Sequence, residues 1–151
     1  MTQQATQQSN RQIDLLLEQY SDSHRHPTNE VIHFVCVPLI VFSLLGLLWV
    51  AHPYAAVGVT VAALLYYVML SPAFAVGMLP MSGAMLAVLY SLPRGMVLLL
   101  SVAVFVLAWV GQFIGHKIEG KKPSFFDDVR FLLIGPLFVL GFLYRRLHIR
   151  Y

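Results

Sequence analysis

Charge is what this sequence has least of. Asp, Glu, Lys and Arg make up 11% of its 151 residues, while 58% are hydrophobic. Soluble domains average about 25% charged and 45–50% apolar. Residues 31–93 contain no Asp, Glu, Lys or Arg at all. That absence excludes a surface built to face water and fits a surface built to face lipid. A single arginine at the centre of a spanning helix costs roughly 2.5–3.5 kcal/mol on insertion scales. Cysteine is almost missing. Cys36 stands alone, which excludes an intramolecular disulfide and any cysteine-based zinc site. Glutamates number three, Glu18, Glu30 and Glu119. A di-iron carboxylate bundle needs ExxH twice and two further glutamates, and here ExxH occurs once, from Glu30 to His33. There is no Ser-His-Asp order, Walker loop or GxGxxG. The N-terminus "MTQQATQQSNRQ" lacks an early apolar core, so it does not read as a cleavable signal peptide. The extended basic face of a nucleic-acid module is missing too.

What is present is apolar sequence in blocks. Residues 31–51 form one span, closed by His52-Pro53. Residues 54–89 are too long for one crossing and break at Ser71-Pro72, which gives spans at 54–70 and 72–90. "SLPRG" is a turn by its Pro and Gly, and residues 96–115 form the fourth span. Residues 131–143, with Gly135-Pro136 inside, are too few for an ordinary crossing and read as a short fifth segment, re-entrant or spanning. Residues 1–10 read as a disordered Gln/Ser/Thr tail. Next, Ile13, Leu16, Leu17 and Tyr20 recur at helical spacing. That is an amphipathic helix, lying on the membrane or packing on the bundle. In "HPTNE", Pro27 suits a first helical turn, and Thr28 or Asn29 can cap it. The fold class expected is all-α: a polytopic membrane helix bundle forming a single domain over residues 11–151.

Four crossings return the chain to the side on which it started. The segment around His24 and His33 therefore shares a membrane face with "GHKIEGKK". That face carries Arg11, Arg25, Lys117, Lys121, Lys122 and Arg130, whereas the opposite turns carry Arg94 alone. The positive-inside rule makes the richer face cytoplasmic. The expected location is a bacterial inner membrane, or the endoplasmic reticulum membrane in a eukaryote.

The same face collects side chains that can do chemistry. "SHRHPTNEVIHFV" holds His24, His26 and His33, and His116 closes the fourth span. His52 and His148 lie elsewhere and read as structural. Imidazole suits iron, zinc, copper or nickel. Asn29 and Gln112 each sit one turn from a histidine and could hold its other ring nitrogen. Two histidines with Glu30 or Glu119 could form the facial triad of a mononuclear iron oxygenase. Lys121 and Lys122 suit lipid headgroups or a substrate carboxylate. A transporter would carry polar groups near the midplane, where these spans have almost none.

"YSDSHRHPTNEVIHFVCVPL" and, further on, "WVGQFIGHKIEGKKPSFFDD" resemble the membrane-bound 2-hydroxy fatty acid dioxygenases. The matching residues are His24, Pro27, Asn29, His33 and Pro38, then Gln112, Phe113, Gly115, His116, Glu119 and Pro123. The resemblance implies an Fe(2+) enzyme with His24, His33 and His116 as essential ligands, and His26 as a further candidate. The implied reaction takes a 2-hydroxy fatty acid and O2 to the acid one carbon shorter and CO2. Asn29, Gln112 and Glu119 would then support the site, and Arg25, Lys117 and Lys121 would steer the carboxylate. The competing expectation is a non-catalytic membrane protein that binds a metal or a lipid.

Overall fold

Proline sets the helix boundaries in this chain. The structure, a computed structural model, describes residues 2–123 and 130–149. Among these described residues six helices follow one another: α1 (Thr2–Ser21), α2 (Pro27–Ala51), α3 (Pro53–Leu70), α4 (Pro72–Ser91), α5 (Arg94–Glu119) and α6 (Phe131–Arg146). Pro27, Pro53 and Pro72 each open a helix, where the missing N–H is not needed and φ is already set. The residue before a proline is pushed out of the helical region. His52 and Ser71 are accordingly extended, and each is a one-residue break between helices.

Two details differ from the sequence expectation at the N-terminal end. Helix α1 begins at Thr2, so residues 2–10 continue the helix instead of forming a tail. Gln and Ala are good helix formers. Helix α2 is capped by His26, whose Nδ1 accepts from Thr28 N at 3.2 Å. Thr28 and Asn29 cannot serve as caps because the helix already includes them.

Among the described residues four helices, α2 to α5, are long and apolar enough to cross a membrane. Their outer faces keep Leu65, Val76, Leu99, Leu107 and Val110 exposed, an apolar area that a water-soluble monomer would not show. The protein is a polytopic membrane protein with four apolar spans. The short fifth membrane segment expected is not among them. Helix α6 has 16 residues, or about 24 Å at 1.5 Å per residue, short of a hydrocarbon core of about 30 Å. It is a core helix of the bundle, burying Ile134, Leu137, Phe138, Leu140 and Tyr144.

One apolar cluster sits at the histidine end of the bundle. It joins Ile13, Leu16, Leu17 and Tyr20 of α1 to Tyr67, Leu70, Phe74, Ile134 and Leu137. The amphipathic helix thus packs on the bundle. A second cluster, centred on Leu45, Leu89 and Val97, closes the other end. There Arg94 donates through Nε to the Val50 carbonyl at 3.0 Å, covering an open helix end.

The contact that positions the site is α2 against α5, which run antiparallel. Small residues allow the close approach. A Cβ on Gly111 would lie 2.7 Å from Cys36 Sγ, and one on Gly115 would collide with Asn29 Oδ1. Gly120, with φ +73°, ends α5 in a left-handed turn that glycine adopts at low cost.

Candidate metal centre

Three histidines arrive from three different segments. His24 follows α1, and its Nδ1–H donates to the Tyr20 carbonyl at 2.6 Å. Its ring also stacks on the Tyr20 phenol, centroids 4.1 Å apart. His33 lies early in α2, with Nδ1 2.9 Å from the Asn29 carbonyl. His116 lies near the end of α5, and its Nε2 is 3.1 Å from His33 Nε2. The ring centroids are 4.1 Å apart for His24–His33, 5.0 Å for His24–His116 and 4.8 Å for His33–His116. All three rings are at most 4% exposed.

Carbonyl hydrogen bonds settle two tautomers. A nitrogen that donates to a carbonyl carries the proton, so the other nitrogen keeps its lone pair. His24 and His33 therefore turn bare Nε2 atoms toward the cluster. His24 Nε2 is buried without a hydrogen-bond partner, as is His116 Nδ1. Burial lowers the His24 pKa below its ordinary value, keeping the ring in its neutral, metal-binding form.

These donors fit a metal ion. One ligand atom from each of His24, His33 and His116 lies within 4.8 Å of the others. Two imidazoles bound at about 2.0–2.1 Å and at right angles would hold their nitrogens about 3 Å apart. The His33–His116 separation of 3.1 Å matches that. The anchored Nδ1 atoms supply the outer hydrogen bonds that ligating histidines make. A cavity of about 60 Å³ adjoins the cluster, lined by Tyr20, His33, Val37, Trp109, Gln112 and His116 among others. That is room for a small molecule such as water or O2.

A family model described as 2-hydroxy-palmitic acid dioxygenase Mpo1-like matches residues 11–147. The chain belongs to this family. No curated protein sequence and no solved structure matches significantly. Family membership and the three-histidine metal-binding cluster together agree with an iron-dependent oxidative activity.

The remaining candidates divide sharply within this family member. His26 is exposed and caps α2, and it is outside the metal-capable group among the described residues. Asn29 meets His33 through its backbone carbonyl, not the amide expected. Its amide instead donates to the Ser23 carbonyl and to Glu119 Oε2, both at 3.1 Å. Gln112 is buried and lines the cavity together with His33 and His116. Glu119 is not in the metal-capable group among the described residues. Its carboxylate accepts from Arg25 N at 3.0 Å, His26 N at 2.8 Å and the Asn29 amide. It is a clasp that ties the segment before α2 to the end of α5. Glu30, the other carboxylate considered, is also outside the group. The Arg25 guanidinium pairs with Asp22, and Lys121 Nζ donates to the Asp22 carbonyl at 2.6 Å. Lys117 is exposed, one residue past His116. Residues 124–128 of the second quoted motif lie outside the described residues.

Sequence reasoning placed Tyr20 on an apolar stripe and stopped there. Its four-residue spacing to His24 is the signal that could have revealed it as the support beneath a ligand. Pro123 and Trp109 in the cavity wall carried no such signal.

Proposed function

We propose that this protein is an Fe(II)-dependent dioxygenase converting a 2-hydroxy fatty acid and O2 to the fatty acid one carbon shorter, CO2 and water. The observation that carries this reading is the buried trio of His24, His33 and His116 beside a small cavity in a membrane helix bundle. The reaction balances without a further reductant: RCH(OH)COOH + O2 gives RCOOH + CO2 + H2O. Fe(II), when bound, supplies the redox chemistry and a positive charge that three neutral imidazoles leave uncompensated.

The chain's own residues have separate tasks. Tyr20 and Asn29 carbonyls fix the rings of His24 and His33. Gln112 and the apolar wall shape the space next to them. Arg25, Lys117 and Lys121, all exposed, give this end a positive field that favours an anionic head group. The site faces the cytoplasm in this proposal, by the lysine and arginine bias described above.

The test is direct. Purified protein with Fe(II), O2 and 2-hydroxypalmitate should release pentadecanoate, and His33→Ala should not. Each of His24→Ala, His33→Ala and His116→Ala should also lower bound iron. Wild-type protein that holds iron yet yields no shortened acid would leave a metal-binding membrane protein without this activity.

A further inference from the structure

The small cavity beside the histidines is too small for a fatty acid, so the hydrocarbon must go elsewhere. We infer that the substrate's acyl chain lies in the apolar groove between α2, α3, α4 and α6. This rests on the function proposed above. The groove has a volume of about 420 Å³, within the roughly 300–1,000 Å³ typical of small-molecule sites. Its walls include Leu48, Thr60, Ala63, Tyr67, Met78 and Pro136. Val41, Leu44 and Leu132 line both this groove and the histidine cavity. The two spaces therefore share a wall.

Direction follows from the helix. His33, Val37, Val41, Leu44 and Leu48 recur every three or four residues, so they share one face of α2. At 1.5 Å per residue, Leu48 lies about 22 Å along the axis from His33. A chain with its head at the histidines can follow this face across the bundle.

The groove chemistry suits a saturated tail. Its hydroxyls are committed to backbone: Thr60 Oγ1 to the Ala56 carbonyl at 2.8 Å, Ser82 Oγ to the Met78 carbonyl at 2.8 Å, and Tyr67 OH to the Leu133 carbonyl at 2.9 Å. What remains facing inward is hydrocarbon. A second apolar pocket, on α5 between Phe105, Val106, Trp109, Val110 and Phe113, shares only Trp109 with the histidine cavity.

Two experiments test the inference. The first uses 2-hydroxyhexadecanoic acid carrying a diazirine at its methyl end, photolysed on iron-loaded full-length protein. Labels should map to Leu47, Leu48, Val59 or Thr60, and excess 2-hydroxypalmitate should displace them. Labels on Val106 or Val110, or groove labels displaced by phospholipid but not by 2-hydroxypalmitate, would overturn the assignment. The second compares chain lengths. Leu48→Trp and Ala63→Trp should lower turnover of 2-hydroxypalmitate relative to 2-hydroxyoctanoate by about tenfold or more, the scale of a few blocked methylenes. Bound iron should stay at the wild-type level, and Val106→Trp should leave the ratio unchanged. Active variants with wild-type chain-length ratios refute the groove. Groove labelling in a protein that never shortens the acid refutes the reaction and keeps the groove.

Discussion

Glu119→Ala separates a positioning role from a ligand role at this centre. The carboxylate receives three donors, from Arg25 N, His26 N and the Asn29 amide. Arg25 and His26 are exposed, so water can replace the carboxylate there. Each of those bonds is set at about 0.5 kcal/mol, the low end of the usual range. The Asn29 bond is shielded and charge-assisted, which puts it at about 1.5–3 kcal/mol. The clasp then contributes about 2.5–4 kcal/mol to docking the His24 segment against α5. Every 1.4 kcal/mol is a factor of ten in the docked fraction. Removing an outer-shell partner typically costs ten- to a hundredfold in metal affinity; the clasp's value converts to roughly 60- to 700-fold, at the upper end of that range and beyond it. Anaerobic Fe(II) titration should show that loss, with Glu119→Gln between alanine and wild type. Hydrogen exchange over residues 22–29 should quicken in Glu119→Ala. Wild-type affinity with unchanged exchange would refute the clasp. Lost iron with unchanged exchange would make Glu119 a ligand.

Four further outcomes are expected. Gly115→Ala pushes a methyl into Asn29 Oδ1 and should destabilise by about 1–3 kcal/mol, seen as earlier thermal inactivation in detergent with weaker iron binding. Gly58→Ala, where a Cβ meets nothing within 4 Å, should be neutral or slightly stabilising. The metal-free protein should lose stability as pH falls from 7 toward 5. Burial lowers the folded pKa of His24, so below about 6.5 the unfolded chain binds a proton that the folded chain does not. Denaturation at several pH values should show this slope, and His24→Asn should make it shallower. Reporter fusions after Ser23 and after Lys121 should report the same, cytoplasmic, side. Opposite sides would refute four crossings between them.

Much of the architecture is readable because lipid and proline are strict. A charge-free stretch from residue 31 to 93 leaves few alternatives to spanning helices. Pro53 and Pro72 mark the helix starts to the residue. The count of crossings puts His24, His26, His33 and His116 on one face, and the family resemblance implied His24, His33 and His116 as the ligands. Roles were harder to read. Spacing alone made His26, Asn29 and Glu119 look alike as site residues. Tertiary contacts made them a helix cap, a backbone support and a clasp.

The sequence by itself determined that this chain lives in a membrane, that four helices cross it, and which histidines share an end. Those facts follow from transfer energies and chain geometry, which act locally. The tertiary structure alone decided that the imidazole nitrogens of His33 and His116 come within 3.1 Å. It also decided that Glu119 clasps and that the groove along α2 meets the histidine cavity. Such contacts join residues about ninety positions apart. They depend on how closely α2 can approach α5, which Gly111 and Gly115 permit only once the helices are packed.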